Sequence, residues 1–172
     1  MTRTPDIPVH LGGLPCSGGL VVPRITPITR TGVPLFGKIS ELAQYRFLHS
    51  RTCQVCGQPL GPRAVLFARS SDFAYQCTAE PAVCPPCAAY SARACPMLAG
   101  RRDRHRASEH PALAGIPVSA DQQLRMGAPA EDWYAVWIRD YEVIAHPAQP
   151  NTVAASWWRI PPLRIRRLPI AA

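Results

Sequence analysis

Lysine is nearly missing from this chain of 172 residues: Lys38 is the only one among 19 basic positions. Charge of either sign is also sparse, at 17% against 47% hydrophobic. That balance excludes wholesale disorder, because a disordered chain lacks the apolar surface needed to offset its ordering entropy. Long apolar runs are missing too. No stretch approaches the ~20 residues of a membrane helix, and the opening "MTRTPDIPVHLGGLPCSGG" lacks the continuous apolar segment of a secretory signal. A cytoplasmic, reducing setting is therefore expected, where clustered cysteines are ligands or catalysts more often than bridges. Histidine is scarce, with five in all, and none falls within 64–77 or 84–95. No Ser/His/Asp grouping, phosphate loop or carboxylate pair occurs at an interpretable spacing. Glu80, Glu131, Asp132 and Glu142 read as scattered solvated charges, and His146 as a surface residue at a strand end.

Proline, by contrast, is abundant at 20 residues; each removes a backbone donor and restricts the residue before it, so short elements and many loops follow. Residues 1–19 read as a loose, flexible arm. "LVVPRITPITRTGVPLFGKI" offers two short β runs around Thr31-Gly32, demoted to edges by their prolines. Ser40 before "ELAQYRFLHS" reads as the cap of a three-turn helix with Leu42, Tyr45 and Leu48 on its buried stripe and Phe47 at the margin. "AVLFA" and "FAYQC", joined by "RSSD", predict a β-hairpin over 64–77. A helix is expected from Cys84 until Pro96 stops it. Residues 99–130 read as a basic linker rich in Pro and Gly. Strands are expected in 132–146 and in "TVAASWW", followed by a Pro-broken arginine tail.

Seven cysteines stand against this background. Four form two CxxC pairs, Cys53 with Cys56 and Cys84 with Cys87, separated by 27 residues. Tetrahedral zinc needs four thiolates converging within ~4 Å of each other, and each CxxC bend presents two sulfurs from one tight turn. Gly57 lets the first bend curl beneath a metal. Pro85 and Pro86 suit the first turn of a helix, where a missing N–H costs nothing, and a helix N-terminus favours thiolate. Knuckle, hairpin and helix in that order resemble the treble-clef zinc fold over residues 53 to 95.

Other readings of the same thiols remain open. Cys77 is able to replace one ligand. Cys95, about 12 Å from Cys87 along an intact helix, is too far for the same ion and reads as a small apolar residue. Cys16 lies in the arm. CxxC at a helix start also activates thiols in redox proteins, although the βαβ frame those use is not evident. An iron–sulfur cluster would draw on the C-x2-C-x7-C run. A treble-clef nuclease needs histidines on its hairpin and helix; His49, His105 and His110 all lie outside them.

The run "CQVCGQPLG…AEPAVCPPCAAYSARACPML" resembles a family of small actinobacterial proteins with the pattern C-x-V-C-G-x-P-L-G followed by E-P-P-x-H-x-x-C-A-x-Y-x-A-x-x-C-P-F-L. Their W-V-x-R-S-Y motif is similar to "VWIRDY" at 136–141, and their "VP…G-x-P-F" pattern is echoed at 22–36. The resemblance spans residues 20–160 and is strongest over 53–98. Where the family carries His, this chain carries Cys84, an exchange that keeps a zinc ligand. The resemblance implies a metal site and no reaction.

Arginine is concentrated at Arg101, Arg102, Arg104 and Arg106, and again at Arg159, Arg164, Arg166 and Arg167. Guanidinium forks suit phosphate and carboxylate recognition, while the same excess also follows from GC-rich coding. Trp133, Trp137, Trp157 and Trp158 offer either a base-stacking platform or a lid on a small core. The sequence thus predicts an α+β, treble-clef or zinc-ribbon-like domain with β-hairpins and two short helices. The module spans 20–98, and residues 131–172 pack on it as Trp/Arg-rich strands. One structural Zn2+ is expected, bound by Cys53, Cys56, Cys84 and Cys87. The expected role is a non-catalytic binding module for nucleic acid or an acidic protein surface, with no membrane partner. A metal-dependent nuclease, then a thiol-redox protein, are the alternatives.

Overall fold

In the computed structural model, which describes residues 5–107 and 120–169, the chain begins with a 3-10 turn at Val9–Leu11 and two short strands, Cys16–Ser17 (β1) and Leu20–Val21 (β2). Helix Glu41–His49 (α1), strand Ala64–Arg69 (β3) and strand Cys77–Thr78 (β4) follow. Helix Pro85–Ala94 (α2) and a single helical turn, Ala120–Leu124 (α3), come next. Strands Trp133–Ile138 (β5), Glu142–Ala145 (β6), Val153–Ser156 (β7) and Arg164–Leu168 (β8) are the last elements among the described residues. The class is α+β. The described residues form three antiparallel sheets, β1–β2, β3–β5–β8 and β4–β7–β6. None of their helices is long and apolar enough to cross a membrane.

The apolar run "AVLFA" explains the architecture. Successive side chains of a strand point to opposite faces, and all six residues of β3 are buried. Val65 and Phe67, with Trp133 and Ala135 of β5, join a core that contains Cys53 and Cys87. Leu66 and Ala68, with Val136 and Ile138, join a second core with Leu48, Tyr141 and Trp157. A fully buried Val or Leu contributes roughly 1.5–3 kcal/mol, so this one strand ties both cores together.

The hairpin expected over 64–77 does not form. Arg69 N–H donates to Asp72 Oδ2 (2.9 Å) and turns the chain out of the sheet into a 3-10 turn, Ser70–Ala74. β4 then pairs with β7, Cys77 opposite Ser156. The chain rejoins β3 only at Val83, which exchanges two 2.9 Å bonds with Val65 immediately before Cys84. Around Thr31-Gly32 a turn does form, closed by a single bridge between Ile28 and Pro34.

Helix α1 has the expected extent and cap, with Ala43 N–H donating to Ser40 Oγ (3.1 Å). Its buried face is different. Leu42 and Tyr45 are 60% and 50% exposed, while Gln44 and Leu48, one turn apart, are buried. Gln44 Nε2 donates to the Ala79 carbonyl (2.6 Å), so satisfying a buried backbone acceptor displaced the apolar stripe. The segment expected to be loose, within described residues 5–19, buries Leu11 completely in the core around Cys53 and Cys87. The arginine tail is not broken by proline either: Pro162 and Pro169 flank β8, which pairs with β5 and buries Leu168 opposite Trp133. His110 and much of the basic linker lie outside the described residues.

Glu80 is not a solvated charge. It belongs to an ionic group centred on Arg69, which is 2% exposed. Arg69 donates to Asp72 Oδ1 (3.1 Å) and Asp121 Oδ1 (2.9 Å). Arg125 bonds Asp121 and lies 3.7 Å from Glu80, and Gln149 Nε2 donates to Asp121 Oδ1 (3.1 Å). Burial pushes the Asp72 and Glu80 carboxyls up. At Asp121 burial acts the same way, but Arg125 and Arg69 outweigh it and hold the carboxyl below its usual range.

His146 is likewise buried rather than at the surface. Its Nδ1 accepts from Ala148 N–H (3.1 Å), and its Nε2 has no partner among the described residues. Burial holds the imidazole below its ordinary value of 6.5, with Arg69 adding to the effect and Asp72 and Asp121 opposing it. The unfolded chain therefore binds more protons than the fold below pH 6.5, and stability falls as pH drops through that value. His146→Asn keeps an acceptor for Ala148 and removes the titration. Wild type should lose stability relative to the variant by up to ~1.4 kcal/mol per pH unit below that point, read from urea midpoints across a pH series. Parallel curves for the two proteins would contradict the assignment.

Candidate metal centre

The first CxxC bend is a tight knuckle. Gly57 N–H donates to the Cys53 carbonyl (2.9 Å) and Cys53 N–H to the Gln58 carbonyl (2.8 Å). Gly57 has φ +75°, and a Cβ there would also meet the Arg24 side chain at 3.1 Å, so two independent reasons select glycine. Backbone bonds clamp the knuckle on both sides: Arg24 N–H to Val55 O (3.0 Å) and Gln54 N–H to Ala82 O (3.1 Å). Gln54 Nε2 adds a 2.6 Å bond to Pro81 O.

The second bend is the start of α2. Cys84 is its N-cap, and prolines occupy the first two helical positions. Val21 N–H donates to Tyr90 Oη (2.9 Å), tying α2 to β2. The Val65–Val83 bridge and the Gln54–Ala82 bond together bring this helix start against the knuckle.

The four sulfurs meet there. Those of Cys53, Cys56, Cys84 and Cys87 all lie within 4.8 Å of one another, and Cys56 and Cys84 are 3.9 Å apart. An S4 tetrahedron with bonds of ~2.3 Å has edges of ~3.8 Å. The residues are close enough to hold a metal ion. Cys53 and Cys87 are fully buried; Cys56 and Cys84 are half-buried. A hydrogen bond from Cys87 holds the Cys53 thiol down at about 5, despite burial. Burial pushes Cys84 up to about 11, and Cys87 is raised by its bond to Cys53 and by burial. One thiolate surrounded by thiols is what like charges at this separation demand; a divalent cation is what lets all four ionise.

The remaining cysteines are elsewhere. Cys77 is buried in β4, outside the group, with its thiol pushed up by burial to about 11. Cys95 is half-buried just past the end of α2, and Cys16 is exposed. One neighbour escaped sequence reasoning: His10, whose Nε2 is 3.5 Å from Cys87 Sγ, within reach of an N–H···S bond. No spacing rule links an arm histidine to a distant CxxC pair.

The arginines divide into three groups. Arg101 donates to the Arg93 and Ala94 carbonyls (2.9 and 3.1 Å) and closes the end of α2. Arg102, Arg104 and Arg106 are exposed and border a cavity. In the tail, Arg167 bonds Asp132 (2.8 Å) and Arg159 lies 3.7 Å from Glu142, whereas Arg164 and Arg166 have no such partner among the described residues. Arg164 stands opposite Trp137 at one end of the central sheet. Arg63 and Arg139, unremarked as isolated residues, flank the Ala64–Ile138 pair at that same end and are exposed. Only strand register brings these three together, with Arg166 two residues further along β8, opposite Ala135. Of the tryptophans, Trp133 and Trp157 are buried, Trp137 packs on the metal-side core, and Trp158 is 68% exposed. The first three pack on the two cores, which leaves only Trp158 exposed and no platform of several rings. Comparison with protein-family models, curated proteins and solved structures finds no match to this chain.

Proposed function

We propose that this chain is a non-catalytic, zinc-locked binding protein that holds the phosphate backbone of nucleic acid on the arginine-bearing end of its central sheet. Four thiol donors favour zinc over harder cations, and the likeness of residues 53–98 to a family with His in place of Cys84 supports the same metal. Bound there, the ion supplies a structural cross-link between the knuckle and α2, and a complete S4 set offers no position for a substrate. The reading is carried by one observation: Arg63, Arg139, Arg164 and Arg166 are exposed and free of ion pairs among the described residues, the last two on β8 and the first two directly beside the ends of β3 and β5, strands fixed by the core. The net charge of +8 adds long-range attraction for a polyanion.

Four neutralised phosphates predict that log K falls against log salt with a slope of about −3 to −4. Arg164→Ala with Arg166→Ala should reduce that slope by about 2 without altering metal content. Titration of a fluorescent oligonucleotide over a salt series reads both. A flat salt response, or an unchanged slope in the double variant, would reject nucleic acid and leave an acidic protein as the target.

A further inference from the structure

The arginines of the 101–106 run serve a different place. Residues 103–106 run antiparallel to 127–130, with His105 N–H donating to Ala128 O (2.9 Å) and Gly127 N–H to Arg106 O (2.9 Å). This ladder holds Arg102, Arg104 and Arg106 beside a cavity of about 390 Å3 against the metal-side core. Its floor is apolar and buried: Val55, Phe67, Val83, Ala94 and Leu98 are each at most 6% exposed. The rim is wet and basic, formed by the three exposed arginines and by Lys38. Among the described residues one carboxylate lines it, Glu80, and Arg125 already faces that group at 3.7 Å.

A further observation points to a ligand. Trp133 also lines the cavity and is 6% exposed, yet its buried indole Nε1–H has no acceptor among the described residues. The large majority of buried side-chain polar atoms have a hydrogen-bond partner. An apolar floor, a surplus of guanidinium groups on the rim and an unmet donor together describe a receptor for a molecule with one anionic end and one greasy end. The space equals about a dozen water volumes of ~30 Å3, within the size class of small-molecule sites.

We propose that this cavity binds a small amphipathic carboxylate, its head held by Arg102 and Arg104 and its aliphatic or aromatic body, of about a dozen non-hydrogen atoms, lying on the Val55–Val83–Leu98 floor. A carboxylate fits better than a phosphate monoester, because a dianion loses more hydration on entering a site with so much apolar wall. Neither Arg164 nor Arg166 of β8 lines this cavity, and the two sites bind independently.

Calorimetric titration of the metal-loaded protein with decanoate, and with decanol as the neutral counterpart, tests this. Decanoate should bind with micromolar affinity and decanol about tenfold or more weakly. Arg102→Ala with Arg104→Ala, both at exposed positions, should weaken decanoate about tenfold or more and leave decanol unchanged. Ser91→Trp, which fills the cavity from α2, should abolish binding of both. No binding of decanoate at millimolar concentration would overturn the proposal. So would equal affinity for the two ligands, or unchanged decanoate affinity in either variant when circular dichroism shows that variant folded.

Discussion

Cys87→Ala will leave the chain without bound metal and without a fixed tertiary structure. Cys87 is fully buried, and its sulfur is one of four that converge from the knuckle and from the first turn of α2. Structural zinc in small domains contributes ~10–16 kcal/mol, against a net stability of ~5–15 kcal/mol for a folded domain. Losing the ion therefore removes as much as the whole margin. The damage does not stay local, because β3 belongs to both cores: Val65 and Phe67 face the cysteines and Leu66 and Ala68 face Leu48 and Trp157. Near-UV circular dichroism of the tryptophans should collapse in the variant, and in the wild type on adding a strong chelator, in a single transition. A variant that keeps its near-UV signal and melts as the wild type does would show that the cysteines are ordinary core residues.

Arg69→Met will destabilise the metal-loaded protein by about 3–5 kcal/mol, the usual cost of stripping a buried charge of its partner. The guanidinium lies between Asp72 and Asp121, each of the three at most 3% exposed. Met fills similar volume but leaves Asp72 with no other cation bonded to it among the described residues. Adding Asp72→Asn to that variant should recover roughly half the loss, since Asn still accepts from residue 69 N–H and no longer carries a charge. Urea unfolding of wild type, both singles and the double gives the coupling directly. Strict additivity would mean that the two side chains do not act as a pair.

The local signals in the sequence were sufficient wherever one residue type decides the geometry. Ser40 capped α1, Pro85 and Pro86 opened α2, and the two CxxC pairs met as their spacing implies. What the sequence concealed depended on partners far along the chain. "FAYQC" has the composition of a strand, yet Asp72 found a buried guanidinium and the segment turned away. Leu42 and Tyr45 followed helical period, but Gln44 took the inside because the Ala79 carbonyl needed a donor. Glu80 and His146 looked like surface charges because the arginines and aspartates around them come from two distant stretches, 69–72 and 121–125. The arginine-rich run at 101–106 was visible as charge, while its use was not. Only the 103–106 ladder shows that it edges an apolar cavity rather than the sheet end.

The most direct test of the whole account is X-ray absorption at the zinc edge of the purified protein, paired with metal stoichiometry. One zinc per chain with a shell of four sulfurs at ~2.3 Å is the expected result. A shell containing nitrogen or oxygen, fewer than four sulfurs, or protein that folds with no zinc at all would contradict it.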